Sequence, residues 1–168
     1  MRRCAVIGFV LLLLASFAAR AGAATEGIKV CKLLTKKEAG RILSEKVVRT
    51  EANRDNSIDA AECKYKTKKF ADKDLKKFDA PILLSIDIQG IDAELRADLE
   101  ERRADVDSDE ITGLGDYAFR TNTGATIAVS GDIALEAGYA NAGSTPSNIA
   151  EEKETAALKI AISRLPKS

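Results

Sequence analysis

Carboxylates, lysines, hydroxyls and cysteines are the side chains here with chemistry to offer; none of the 168 residues is a histidine. That absence excludes Ser-His-Asp and Cys-His catalysis, histidine zinc sites and imidazole pH switching. Asp105, Asp107 and Asp109 match the opening of a calcium loop, in which carboxylates at alternate positions converge on one hard cation. The match then fails. Glu110 stands where the turn needs glycine, and Asp116 where a bidentate glutamate is expected. A solvated acidic loop is the better reading, and no metal ligand is assigned. Gly113-Leu114-Gly115-Asp116 has the glycines of a phosphate cradle but neither the lysine nor the strand-to-helix setting. It reads as a tight turn in which Asp116 bonds nearby backbone amides. Paired carboxylates are enough for a glycosidase, but no two acids are singled out as cleft residues. The chain is therefore expected not to be an enzyme and to need no cofactor.

The cysteines are more specific, once their compartment is known. Arg2 and Arg3 precede an apolar run from Ala5 to Ala19 with Leu11-Leu12-Leu13-Leu14 in its middle, and Ala21-Gly22-Ala23 follows. A charged start, an apolar middle and an A-x-A end make a secretory signal peptide. The run is short against the roughly 20 residues of a membrane span. The expectation is a signal at residues 1–23, cleaved to leave one domain over 24–168, periplasmic or secreted, with no stable membrane insertion afterwards. Cys4 leaves with the signal. Cys31 and Cys63 then form the one available pair, in a compartment where thiols oxidise. They lack the C-x-x-C spacing of a redox pair. The loop of about 33 residues that they close is worth roughly 3.5–4 kcal/mol on a chain-entropy account.

Charge narrows the partners. Removing Arg2, Arg3 and Arg20 from 26 basic residues leaves 23 against 26 acidic ones, a net charge of −3. Nucleic acid is not expected as a partner, because phosphate binding favours a basic surface. No tryptophan is present and aromatics are few, which leaves little stacking surface for bases. The most basic stretch, Lys64 to Lys77, with Phe70 and Phe78, has the makings of an anionic-surface contact. The plainer reading is a lysine-rich sheet edge that discourages aggregation.

The elements that would position these groups are legible from periodicity. Thr35 and Glu38 form a capping box ahead of a short helix with Ala39, Ile42 and Leu43 on one face, ending near Ser44. Lys46 to Thr50 reads as a strand and Asn53 to Ser57 as a loop. In Glu62 to Thr67, Cys63 and Tyr65 alternate with Glu62, Lys64 and Lys66, predicting a half-buried strand. Leu84, Ile86 and Ile88 alternate in the next, after Pro81. Ile91, Leu95 and Leu99 mark a helix over Asp92 to Arg103. Tyr117–Thr121, Thr126–Val129 and Ile133–Tyr139, separated by glycine turns, predict an antiparallel meander. Thr145 and Pro146 then open a last helix, with Leu158, Ile162 and Leu165 apolar, that ends before Pro166. The fold class is α+β: a mainly antiparallel sheet with N-terminal, middle and C-terminal helices packed on one face.

Cys31-Lys32-Leu33-Leu34-Thr35, Cys63-Lys64-Tyr65, Gly113-Leu114-Gly115-Asp116-Tyr117-Ala118 and Ser130-Gly131-Asp132 occur in that order over nearly the whole mature chain. The arrangement resembles a group of small exported bacterial envelope domains of unknown function, many of them predicted lipoproteins. The lipobox cysteine common in that group is missing here. The resemblance supports the Cys31–Cys63 disulfide and the α+β fold, and carries no catalytic residues. The expected role is a non-catalytic periplasmic or secreted domain that binds an envelope protein or a small ligand; a structural or interaction protein of the envelope is the alternative, and a histidine-free hydrolase comes third.

Overall fold

A computed structural model describes residues 24–67, 83–104, 109–121, 124–140 and 147–166. The expected signal at residues 1–23, most of the lysine-rich connection, Asp105, Asp107, Thr145 and Pro146 lie outside the described residues. Among the described residues the first element is a single helical turn, α1 (Val30–Leu33), for which the sequence has no periodic pattern. Then follows α2 (Lys36–Leu43), where the Thr35 side chain accepts the Glu38 N–H and Glu38 accepts the Thr35 N–H at 2.9 Å. This helix stops where Ser44 takes the left-handed conformation, φ 55°.

Next come β1 (Val47–Asp55), β2 (Ala60–Thr67), β3 (Leu83–Gly90), α3 (Ala93–Ala104), β4 (Asp109–Glu110), β5 (Tyr117–Arg120), β6 (Thr126–Ser130), β7 (Ile133–Ala140) and α4 (Ser147–Ile162). The seven strands form one sheet in the order β1-β2-β3-β7-β6-β5-β4, and every adjacent pair is antiparallel. β1 extends through Asn53-Arg54-Asp55, which the sequence marks as loop. Those residues pair with Glu62, Ala61 and Ala60. On an exposed edge strand a polar side chain faces water without penalty, so composition does not separate strand from turn there.

The larger core lies on one face of the sheet. Cys63, Tyr65, Leu84, Ile86, Ile88, Leu135 and Ala137 point inward from alternate strand positions. They meet Leu33 and Leu34, Ala39 and Leu43 of α2, and Ala157, Leu158 and Ala161 of α4. Packing all three helices on this face is corrected for the middle one. Leu99 of α3 is 2 % exposed within a second cluster with Ile91, Phe119, Ile127, Val129 and Ala134. Ile127 and Val129 alternate with Thr126 and Ala128, so they stand on the opposite face. β6 is apolar on both sides, and all of Thr126 to Val129 are buried. A strand covered on both faces has to be.

Two long-range ties hold the N-terminal helical segment to the sheet, and a third joins it to α4. Cys31 of α1 is bonded to Cys63 of β2 across a Cα–Cα distance of 5.2 Å. The Tyr65 hydroxyl donates to the Leu34 carbonyl. Arg164, just past α4, grips Glu38 with two bonds of 2.7 and 2.8 Å and donates to the Leu33 carbonyl at 3.1 Å. This fork is the main reason the Glu38 carboxyl is held down to about 2, and the Thr35 bonds add to it.

Candidate functional site

Among the described residues, α3 packs on β5, β6 and β7 through Phe119, Ile127, Val129 and Ala134. Between it and the tip of the β1–β2 hairpin lies an open cleft with a cavity of about 340 Å³. Leu95, Leu99 and Arg102 of α3 form one wall, and Asn53, Asp55 and Ile58 of the hairpin the other. Two ion pairs fix the helical wall: Arg96 to Asp132 at 3.0 Å and Arg103 to Glu110 at 2.7 Å. The Arg103 guanidinium also lies 4.8 Å from the centre of the Tyr117 ring, a cation–π distance. Asp92 opens the helix by accepting the Leu95 N–H at 2.8 Å.

Strand register builds the floor. Glu62 of β2 stands opposite Asp87 of β3, and Asp87 opposite Glu136 of β7. All three line the cleft, beside Ile127 and Ala134. Like charges directly opposed on neighbouring strands destabilise a sheet, and the electrostatics follow. Burial, then the Glu62 and Glu136 charges, push the Asp87 carboxyl up to about 6 from 3.8. A bond from Ser85 and the charge of Lys64 pull only partly the other way. Lys64 is itself committed to Glu62 at 2.6 Å. Ser85 has room because its neighbour across the pair is Gly138, where an added Cβ would come within 3.0 Å of the serine hydroxyl.

The floor thus offers an unevenly ionised row of carboxylates beside apolar side chains. It can hold a cation that carries a hydrophobic body, or pass a proton near neutral pH. Among the described residues no group of three or more carboxylates or cysteines is placed to hold a metal ion.

The residues singled out by sequence are scattered. Cys31 and Cys63 come together in the disulfide. Asp109 sits exposed on β4 opposite Arg120. Asp116 accepts the Gly131 N–H at 2.7 Å, and its own N–H donates to the Val129 carbonyl at 2.7 Å. Gly115 has φ 66°, and any side chain there would collide with the Val129 carbonyl. The two glycine motifs therefore clasp one another across the meander. Lys64 and Lys66 are engaged by Glu62 and Glu51 on the outer face.

Sequence reasoning misses the Glu62–Asp87–Glu136 row. Each acid is an ordinary outward residue of its strand, and only the β3–β7 pairing, 49 positions apart between Asp87 and Glu136, brings the third beside the others. It also misses a buried polar cluster on the other face. Arg120 donates to Glu154 at 2.7 Å and to the Gly124 carbonyl at 2.6 Å. Glu154 further accepts from the Thr126 hydroxyl at 2.8 Å and the Tyr139 N–H at 2.9 Å. Its carboxyl is pushed up mainly by burial. One signal was present: Ala150, Glu154, Ala157, Leu158 and Ala161 follow helical spacing, which puts the glutamate inside the apolar stripe. With both carboxylate oxygens engaged and the glutamate 1 % exposed, this cluster is an internal latch. Comparison with protein families, curated proteins and solved structures found no match.

Proposed function

We propose that this chain is a non-catalytic exported domain, cleaved after residue 23 and acting in the periplasm or outside the cell. Its cleft binds a small organic cation with an apolar body. The observation that carries this reading is Asp87, half-buried between Glu62 and Glu136 and facing a cavity with leucine and isoleucine on its walls. An ammonium ligand relieves the repulsion in that row, while its hydrocarbon part covers Leu95 and the exposed Ile58. Ligand sites generally pair an apolar lining with a few placed polar groups. Nucleic acid does not suit a carboxylate floor. No helix among the described residues is long and apolar enough to cross a membrane.

Calorimetric titration of the mature chain with a panel of alkyl and aryl amines tests the reading. Binding is expected at pH 7.5, weakened about tenfold or more at pH 5 as Asp87 takes up its proton, and lost in Asp87→Asn. Equal binding of matched neutral alcohols, or none by any amine, overturns it. A second reading, a histidine-free hydrolase, draws on the same Asp87 carboxyl, since one raised to about 6 suits a general acid. Turnover of glycoside or ester substrates that disappears in Asp87→Asn would favour it over binding.

A further inference from the structure

Residues just after the expected cleavage point are built into the fold. Thr25 is fully buried. Its N–H donates to Asp59 Oδ2 at 3.1 Å, and its hydroxyl lies within hydrogen-bond reach of Asp59 Oδ1 and of the Asp59 carbonyl. Arg54 donates to the Thr25 carbonyl at 2.8 Å and the Ile28 carbonyl at 3.2 Å. Ala24 and the Asp59 carboxylate both crowd Gly90 at the end of β3, where any side chain would strike Asp59. Asp59 holds the left-handed conformation, φ 46°, so the hairpin turn is shaped to turn this carboxylate back onto the N-terminal segment.

The charge of Asp59 is incompletely answered. Its side chain is 13 % exposed, and Arg54 stands 3.8 Å away, beyond the roughly 2.7–2.9 Å of a charge-assisted hydrogen bond, because its guanidinium is turned to the two carbonyls. We propose that the α-ammonium group freed at Ala24 by signal removal supplies the missing cation, docking beside Asp59 and locking the mature N-terminus onto the β1–β2 hairpin and the end of β3. This rests on the cleavage reading above. Water adds across the Ala23–Ala24 peptide bond: Ala23 gains a carboxylate oxygen, and the Ala24 nitrogen becomes an amine that takes a proton. A neutral amide is thereby converted to a cation one residue from the Thr25 nitrogen, within about 3–6 Å of the carboxylate by chain geometry. Among the described residues, Asp132 favours an ammonium here, and Arg54 and the Arg96 bound to Asp132 oppose it. Asp132 lines a shallow hollow with Ala24 and is engaged by Arg96. The uncleaved precursor lacks the lock.

Every described element lies after Ala24, so the chain 24–168 contains the whole described fold. The experiment compares that chain, prepared with its own Ala24 amine, with the same chain N-acetylated and with one beginning at Gly22, which carries its charge two residues farther out. At pH 6.5 the first should melt about 2–4 °C above the other two, and the gap should close by pH 9.5–10. The Ala24 amine, followed by NMR, should titrate above the ordinary range of about 7.7–8.0. Asp59→Asn should abolish the melting difference. If that variant does not fold, the amine titration of the unaltered chain decides alone. Equal melting of all three chains, or an amine titrating in the ordinary range, overturns the lock. N-terminal sequencing of exported protein is separate: a start other than Ala24 would sink the cleavage reading and leave the behaviour of the prepared chain unchanged.

Discussion

Asp87 occupies a position where the folded state opposes its charge, and its consequence is a stability term with a definite sign. The carboxyl ionises near 6 in the fold, against 3.8 for the free side chain. A raised carboxyl favours the fold below the unfolded value and loses that contribution as pH climbs through the folded one. Between pH 4 and 7 the ionised Asp87 therefore weakens the native state progressively. Asp87→Asn should stabilise the protein by about 1–2 kcal/mol at pH 7.5, allowing for solvent screening, and by almost nothing at pH 3.5. Urea denaturation at the two pH values measures it; destabilisation at pH 7.5 would mean that the carboxylate is held by partners stronger than Ser85 and Lys64. A residue that lowers stability where it stands is the mark of a functional position, which links this measurement to the binding reading.

At the scale of elements, the β5–β6 hairpin and α4 are joined by the Arg120–Glu154 latch. Arg120 is 8 % and Glu154 1 % exposed, so removing one partner strands the other away from water. Arg120→Met should destabilise by about 3–5 kcal/mol at pH 7. The loss should shrink toward pH 4, where the stranded glutamate, already pushed up by burial, becomes neutral. Arg120→Met with Glu154→Leu should recover most of it, and chemical denaturation of the three proteins at both pH values checks the pattern. The α4 stripe shows how element-level reading works and where it stops. Its spacing makes the buried face legible, including the position of Glu154, because helix periodicity is a local property. The partner of Glu154 is not, because Arg120 lies on another element 34 residues away. The alternation of Cys63 and Tyr65, and of Leu84, Ile86 and Ile88, is legible for the same local reason. The side of the sheet that α3 takes is not: its narrow stripe of Leu95 and Leu99 fits either face, and only the doubly apolar β6 decides. The cleft, which lies between α3 and the β1–β2 hairpin, is therefore a product of topology.

Across the whole molecule, the short cysteine and glycine motifs have one structural role each. Leu34 and Tyr65 join α1 to β2 by a hydrogen bond, Gly115 lets the chain pass against Val129, Asp116 holds Gly131, and Cys31 meets Cys63. None of these residues lines the cleft, so the motifs specify a scaffold. The disulfide matters most at this scale, because α1 is a single turn of four residues and cannot persist by its own hydrogen bonds. Cross-linking residues 32 positions apart restricts the unfolded chain and so holds α1 against the sheet. Cys31→Ala with Cys63→Ala should lower stability by about 2–4 kcal/mol, with the urea dependence changed as the unfolded chain expands. Amide exchange should rise most across residues 28–34 and along β1, the edge strand that α1 covers near Glu51, whose carbonyl lies 3.9 Å from the Cys31 sulfur. The β5–β6–β7 meander and α4, tied by their own buried latch, should keep their protection. Uniform loss of protection over all seven strands would instead make the fold one cooperative unit whose integrity depends on the disulfide as a whole.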